Sequence, residues 1–242
     1  MPSWDETIFL LGDVNGAGAE VLDNDRIEKV RATRRKLAAD GPPSVRSVAD
    51  FERVSLPNSD ADALRDLLIA ERVNTTIEIG LAYGSSALAI AEALVILGSE
   101  RARHVIIDSD QDGFYRSGWN AIAEAGLTGL CSLIEERSQI VLPRLLSEGF
   151  LADAAFVDGS HRFHNVFVDL FYVRELVRPG GVVILDDYSY PSVATAVRYF
   201  EANTGWQAEP MSVPTRLRAY RLPIERTEPN FESFKPFGLD KA

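Results

Sequence analysis

Four residues of this chain have the types and the spacing to do chemistry: Asp158, His161, Asp186 and Asp187. Asp158 closes the apolar run Ala154-Ala-Phe-Val, and Asp186-Asp187 closes the run Gly180-Gly-Val-Val-Ile-Leu. A short apolar run ending in a carboxylate is how a buried parallel strand delivers a polar side chain to the rim of a sheet. Ligands of open α/β sheets bind outside the carboxyl ends of the strands, so the three acids are expected to converge there around a divalent cation beside a substrate. Mg²⁺ suits such a set, because it takes hard oxygen ligands and keeps waters that a hydroxyl can replace. The alternative is that Asp186 caps or orients a neighbouring loop while only one other acid is functional. His161, three positions after Asp158, has an ordinary pKa of about 6.5, which suits a general base; otherwise it orients a carboxylate or caps the next helix. His164 reads as solvated or capping and His104 as structural. Tyr188 and Tyr190 follow the acidic pair and could line an acceptor pocket, while Asp169 reads as a packing or salt-bridge residue.

A second group of residues reads as a ligand-binding turn. The apolar strand Thr75-Thr-Ile-Glu78-Ile-Gly80 runs into Leu-Ala-Tyr83-Gly84-Ser85-Ser86, with glycines four apart. Glycine allows a tight turn and close backbone approach, so a flat or extended ligand can lie over it at the start of the following helix. The spacing is not the G-x-G-x-x-G of a dinucleotide fold, which disfavours nicotinamide cofactors. Asp108 closes the next strand, Arg103-His-Val-Ile-Ile, where it is placed to accept hydrogen bonds from ribose hydroxyls. Glu78 is a second acceptor, or a ligand for a cationic group. Tyr83 and Trp119 either cover a cofactor or belong to the core.

The elements that must position these groups alternate along the chain. Strands are expected at 75–80, 103–108, 131–136, 153–158 and 181–186, and helices at 85–97, 114–125, 138–147, 164–177 and 191–202. Such alternation implies right-handed crossovers and a parallel sheet covered on both faces. Trp206-Gln-Ala-Glu and Arg216-Leu-Arg-Ala-Tyr-Arg-Leu222 read as two last strands in a terminal hairpin. Upstream, residues 1–22 read as a loosely ordered arm. A helix capped at Asn24-Asp25 runs to about Asp40, and another starts at Ser59. The first of these carries Arg26, Lys29, Arg31, Arg34, Arg35 and Lys36; the cluster is either a solvated face or a docking patch for an acidic partner subunit. The organisation expected is an arm and helical extension over 1–58, a ligand-binding domain over 59–222 and a tail over 223–242. The tail phenylalanines Phe231, Phe234 and Phe237 are expected to pack over the domain or a neighbouring subunit.

Composition narrows the function. With 242 residues and 46% hydrophobic content, one α/β domain with a sizeable core is expected. The net charge of -11 would repel a phosphate backbone, so nucleic acid is not an expected partner. The single cysteine, Cys131, excludes an intramolecular disulfide and a cysteine-based zinc cluster. With no signal-peptide pattern at Met1-Pro-Ser-Trp and no apolar run near the ~18 residues of a membrane span, the protein is expected to be soluble and cytoplasmic.

The motifs together resemble those of a known family, the class I S-adenosylmethionine-dependent methyltransferases. Glu78-Ile-Gly-x-x-x-Gly84-x-Ser86 is similar to their first motif, Asp108 to their ribose-binding acid, and Arg178-Pro-Gly-Gly-Val-Val-Ile-Leu-Asp-Asp to their last parallel strand. Within the class, residues 60–222 most resemble cation-dependent O-methyltransferases of the catechol type and those that tailor macrolide sugars and cephalosporin-type products. The resemblance implies a Rossmann-like α/β fold with helices on both faces of a mostly parallel seven-stranded sheet, the last strand antiparallel. It implies S-adenosylmethionine held by Glu78, Gly80, Tyr83, Gly84, Ser86, Asp108, Ser138 and Asp158, with Mg²⁺ or a similar ion on Asp158, Asp186 and Asp187. His161 stands where catechol-type enzymes carry a basic lysine. Where these enzymes often have Gly-Asp after the third strand, this chain has Glu136-Arg137-Ser138-Gln139, so Ser138 and Gln139 become the candidate adenine contacts. The implied reaction moves a methyl group to a hydroxyl of a small molecule, such as a sugar, polyketide or catechol-like ring, in antibiotic or other secondary metabolism. A homo-oligomer, dimer or higher, is the expected assembly. The rival readings are a metal-independent N-methyltransferase and a non-catalytic cofactor-binding protein.

Overall fold

A computed structural model describes residues 23–238; the arm expected over residues 1–22 lies outside them. Seven strands form one sheet: β1 (Thr75–Ile79), β2 (Arg103–Ile107), β3 (Cys131–Ile134), β4 (Ala152–Val157), β5 (Val177–Leu185), β6 (Gln207–Glu209) and β7 (Arg218–Arg221). Their spatial order is β3-β2-β1-β4-β5-β7-β6. The first five are parallel, β7 runs antiparallel to β5, and β6 pairs antiparallel with β7 as a hairpin. The direction of winding reverses between β1 and β4, which opens a crevice at their carboxyl ends.

Register fixes what meets in that crevice. Ile79 is paired with both Ile107 and Val157, and Val157 with Leu185. The next residue of each strand therefore falls in one row: Gly80, Asp108, Asp158 and Asp186. Alternation along the strands divides the apolar side chains between two layers. Ala154, Phe156, Val182 and Ile184 face α1 (Asn24–Asp40), α3 (Asn58–Ala70), α4 (Ser85–Leu97) and α5 (Ser117–Glu124). Ile77, Ile79, Ala155, Val157, Val183 and Leu185 face α6 (Ser138–Ser147), α7 (Phe163–Leu176) and α8 (Pro191–Thr204). Each fully buried Leu, Ile or Phe in these layers contributes about 1.5–3 kcal/mol relative to exposure.

Four details depart from the sequence pattern. The helix expected at 114–125 is broken into a single 3₁₀ turn, Gln111–Phe114, and α5, because Tyr115 and Arg116 both take left-handed backbone angles with φ of 54°. A short helix, α2 (Val48–Val54), was not expected; it fully buries no residue, although its Phe51 packs against the core. The basic cluster of α1 is partly consumed inside the molecule. Helix α4 is almost wholly buried and contains Glu92, whose side chain has no exposure. Arg31 Nε donates to its Oε1 at 2.9 Å, Arg34 donates to its Oε2, and Arg65 of α3 lies 3.4 Å from Oε1. A carboxylate buried in an apolar helix needs cations drawn from neighbouring elements, and α1 and α3 supply them. Asp23, rather than Asn24 or Asp25, caps α1 by accepting from Arg26 N.

Candidate active site

Between β1 and α4 the chain turns tightly under close steric control. Gly80 has φ of +95°, and a Cβ there would lie 2.1 Å from the Asp158 carbonyl oxygen. Only glycine lets β1 and β4 end this close together. Gly84, with φ of +89°, starts α4 without a side-chain cap, so the first amides of the helix are available to a ligand. The turn is held from below and from the side. Beneath it, fully buried Glu78 accepts from Ser86 Oγ and lies 2.7 Å from His104 Nε2, whose Nδ1 is 2.8 Å from Thr76 Oγ1. At its flank, Asp108 accepts the amides of Leu81 and Ala82 at 2.8 and 2.9 Å. Tyr83 packs edge-on between Phe51 and Phe114, and its hydroxyl donates to Asp50 Oδ2 at 2.8 Å.

The turn forms one end of a cavity of about 590 Å³ that reaches the acids of β4 and β5. Gly80, Tyr83, Gly84, Ser86, Asp108, Ser138, Gln139 and Asp158 line it, together with His161, Asp187 and Tyr190. Glu78 is not on its wall: its carboxylate is committed to Ser86 and His104, so it supports the turn from inside. Tyr188 packs into the lower core layer and Trp119 against the upper one. His164 is exposed, and His104 is buried in the Thr76–Glu78 chain.

At the far end the acids divide. His161 Nε2 lies 2.9 Å from Asp187 Oδ2 and 3.6 Å from Asp158 Oδ1, and these three residues offer donor atoms within 4.8 Å of one another. Asp187 is held in a left-handed conformation, φ of 58°, with its amide donating to Asp186 Oδ1 at 2.7 Å. Asp186 itself is buried and turned to Arg216, whose Nε and Nη2 approach its two oxygens at 2.5–2.9 Å. The structure thus brings Asp158, His161 and Asp187 together and pairs Asp186 with a guanidinium. Nothing in the local sequence signals Arg216, which lies thirty positions on. Tyr190 stacks on the His161 ring at 5.2 Å, and Ser192 Oγ donates to the His161 carbonyl at 2.6 Å.

Electrostatics follow from these contacts. Burial pushes the Asp158 carboxyl up to about 7, helped by the Asp186 and Asp187 charges and opposed by His161. Hydrogen bonds to Asp158 and Asp187 push the His161 imidazole up to about 10. The ring therefore carries its proton at neutral pH in this arrangement, unlike the free imidazole assumed from sequence. His161 holds the Asp187 carboxyl below the usual carboxylate range.

With this geometry in place, comparison with known proteins becomes informative. Residues 77–188 match the family model described as a methyltransferase domain. No curated protein is matched. Among solved structures, the O-methyltransferase TomG from Streptomyces achromogenes, involved in tomaymycin synthesis and solved with SAM, is 20% identical with a TM-score of 0.59, over 83% of this chain and 90% of that one. The cofactor-bound Rv0187 from MTB is 17% identical with a TM-score of 0.61, over 84% and 91%. An O-methyltransferase from Bacillus cereus in complex with SAH is 18% identical with a TM-score of 0.56, over 81% and 90%. Sheet order and structural likeness show a Rossmann-like α/β fold, shared with these solved structures. The matched segment runs from β1 past Asp187.

Proposed function

We propose that this chain transfers a methyl group from S-adenosylmethionine to a hydroxyl of a small molecule. One observation carries the reading: a single cavity runs from the uncapped start of α4 at Gly84 to the Asp158–His161–Asp187 cluster. It has a cofactor-sized space at one end and a proton-handling group at the other. SAM and SAH in the related structures support the cofactor, and the tomaymycin enzyme supports an acceptor of the antibiotic type. The reaction is an in-line displacement in which the sulfonium C–S bond breaks as the O–C bond forms. S-adenosylhomocysteine leaves and the hydroxyl proton passes to a base. His161, whose ring Tyr190 covers, takes that proton in its neutral form, which requires release from the Asp158 and Asp187 carboxylates that otherwise hold it protonated.

A divalent cation fits the donor set. Asp158 and Asp187 offer hard oxygens and would hold the ion, with the His161 imidazole beside them left for the proton. When bound, such an ion lowers the pKa of a hydroxyl. Arg216 keeps Asp186 neutralised, so Asp186 serves as the orienting residue for Asp187 through the Asp187 amide.

The test is incubation with S-adenosylmethionine and a panel of sugar, polyketide and catechol acceptors, with mass spectrometry of the products. A methylated oxygen with one S-adenosylhomocysteine per methyl group is expected. Chelator should abolish turnover and Mg²⁺ restore it, and His161→Ala at saturating metal should lower kcat by roughly 10²–10⁴-fold. Methylation only of amines, or full activity after exhaustive chelation, would contradict the hydroxyl or the metal assignment respectively.

A further inference from the structure

Asp186 stands in the same strand-end row as Asp158, yet a guanidinium already holds it. Val157 is paired with Leu185, so the two acids that follow end adjacent parallel strands, about 4.8 Å apart in the backbone. Burial is the main cause of the raised Asp158 carboxyl and the Asp186 charge adds to it, which puts the two carboxylates within Coulombic reach. Asp186 Oδ1 also accepts the Asp187 amide at 2.7 Å. By position it is a third hard-oxygen donor for a cation held by Asp158 and Asp187.

Its oxygens are taken from the other side. The Asp186 side chain has no exposure, and Arg216 meets it in a fork: Nε lies 2.8 Å from Oδ1 and 2.9 Å from Oδ2, and Nη2 lies 2.5 Å from Oδ2. A guanidinium set this way against a carboxylate is among the strong ion-pair geometries. Arg216 is anchored in turn. Its amide donates to Asp60 Oδ2 of α3 at 3.3 Å, and Leu217 beside it is fully buried. Its side chain is 35% exposed, so the guanidinium can leave the carboxylate for water. A guanidinium and a divalent cation cannot share these oxygens, because both need the same lone pairs and like charges repel strongly in a site shielded from water.

We infer that Arg216 is a resident competitor for the cation: it withholds Asp186 from coordination and so sets how tightly the ion is bound. The inference rests on the proposed cation site at Asp158 and Asp187. Affinity in oxygen-ligand sites follows the number of charged ligands. With Arg216 in place the ion meets two carboxylates; with Arg216 removed it meets three. The pair keeps the acids compensated when no ion is bound and weakens binding when one arrives.

The experiment measures Mn²⁺ binding to the full chain without cofactor or acceptor, by calorimetry and by the electron paramagnetic resonance of the free ion. Mn²⁺ serves as a hard cation of the Mg²⁺ type. Arg216→Gln should tighten Mn²⁺ binding roughly 10-fold or more, as one further carboxylate joins the site. The gain should persist at high salt, which screens a through-space attraction but not a coordinated carboxylate. Tm in chelator should fall, because Asp186 is left buried without its counter-charge, and Mn²⁺ should raise it by more than in wild type. Arg216→Lys keeps a charge beside Asp186, which protects the fold, but loses the fork; its affinity should fall between the two. Combining Arg216→Gln with Asp186→Asn should return affinity to near the wild-type value. Equal affinity in wild type, Arg216→Lys and Arg216→Gln, or full tightening in the double variant, would overturn the inference while leaving the cation site standing. No Mn²⁺ binding by any of these chains would overturn both.

Discussion

Asp169 sits 1% exposed on α7, its Oδ1 without a hydrogen-bond partner among the described residues and Ser138 of the cavity wall beside it. Burial pushes its carboxyl up to about 7, against the pull of the Ser138 hydroxyl. An acid whose folded pKa exceeds its unfolded value of about 3.9 favours the native state in its protonated form. That contribution is complete below about pH 4 and is lost as pH rises through about 7. Asp169→Asn keeps the shape and removes the titration, so urea midpoints of the variant should depend less on pH. The variant should gain on wild type between pH 4 and 8; identical profiles would show that Asp169 does not titrate in this range. The same rule, that a buried polar group is defined by what reaches it, separates Asp186 from Asp187. Both follow one strand, yet one meets Arg216 and the other His161.

At the scale of elements, the central claim on stability concerns Glu92. Helix α4 is apolar on every face except at this residue, and three arginines from α1 and α3 converge on it. Removing one partner of a buried charge group typically costs about 3–5 kcal/mol, because the remaining charges lose their compensation. Here the arginines are partly exposed and keep Asp62, Asp66 and Glu28 as partners, so Glu92→Ala is expected at the lower end, about 3 kcal/mol. Chemical denaturation of the variant measures it, and a change under about 0.5 kcal/mol, the usual range for a surface substitution, would remove Glu92 from the account. Much of the element pattern was legible in advance. Helices α4 and α6 begin and end where periodicity places them, and the strand-end acids occupy one row, because apolar alternation and register depend on local sequence. What was illegible depends on distant partners. Arg31 and Arg34 read as a solvated face or a docking patch until Glu92 is brought against them, Arg216 has no local mark, and α2 is only seven residues long. Sequence places Asp108 at the end of β2, but only the folded turn shows the Leu81 and Ala82 amides on its carboxylate.

Across the whole molecule, the parallel strands carry Asp108, Asp158 and Asp186 to one edge. Arg53, Val54, Ser55 and Leu56, from the end of α2 and the link to α3, line the same cavity. At the other side the tail folds back, with Phe234 and Phe237 against Tyr199 of α8, while Phe231 is 89% exposed. No helix among the described residues is long and apolar enough to cross a membrane. A domain built this way should act through one cofactor bound per chain over the Gly80–Gly84 turn. Isothermal titration with S-adenosylhomocysteine tests that most directly. The account predicts saturable heat with one equivalent per chain and none with NAD; saturable NAD binding with no response to S-adenosylhomocysteine or S-adenosylmethionine would contradict it.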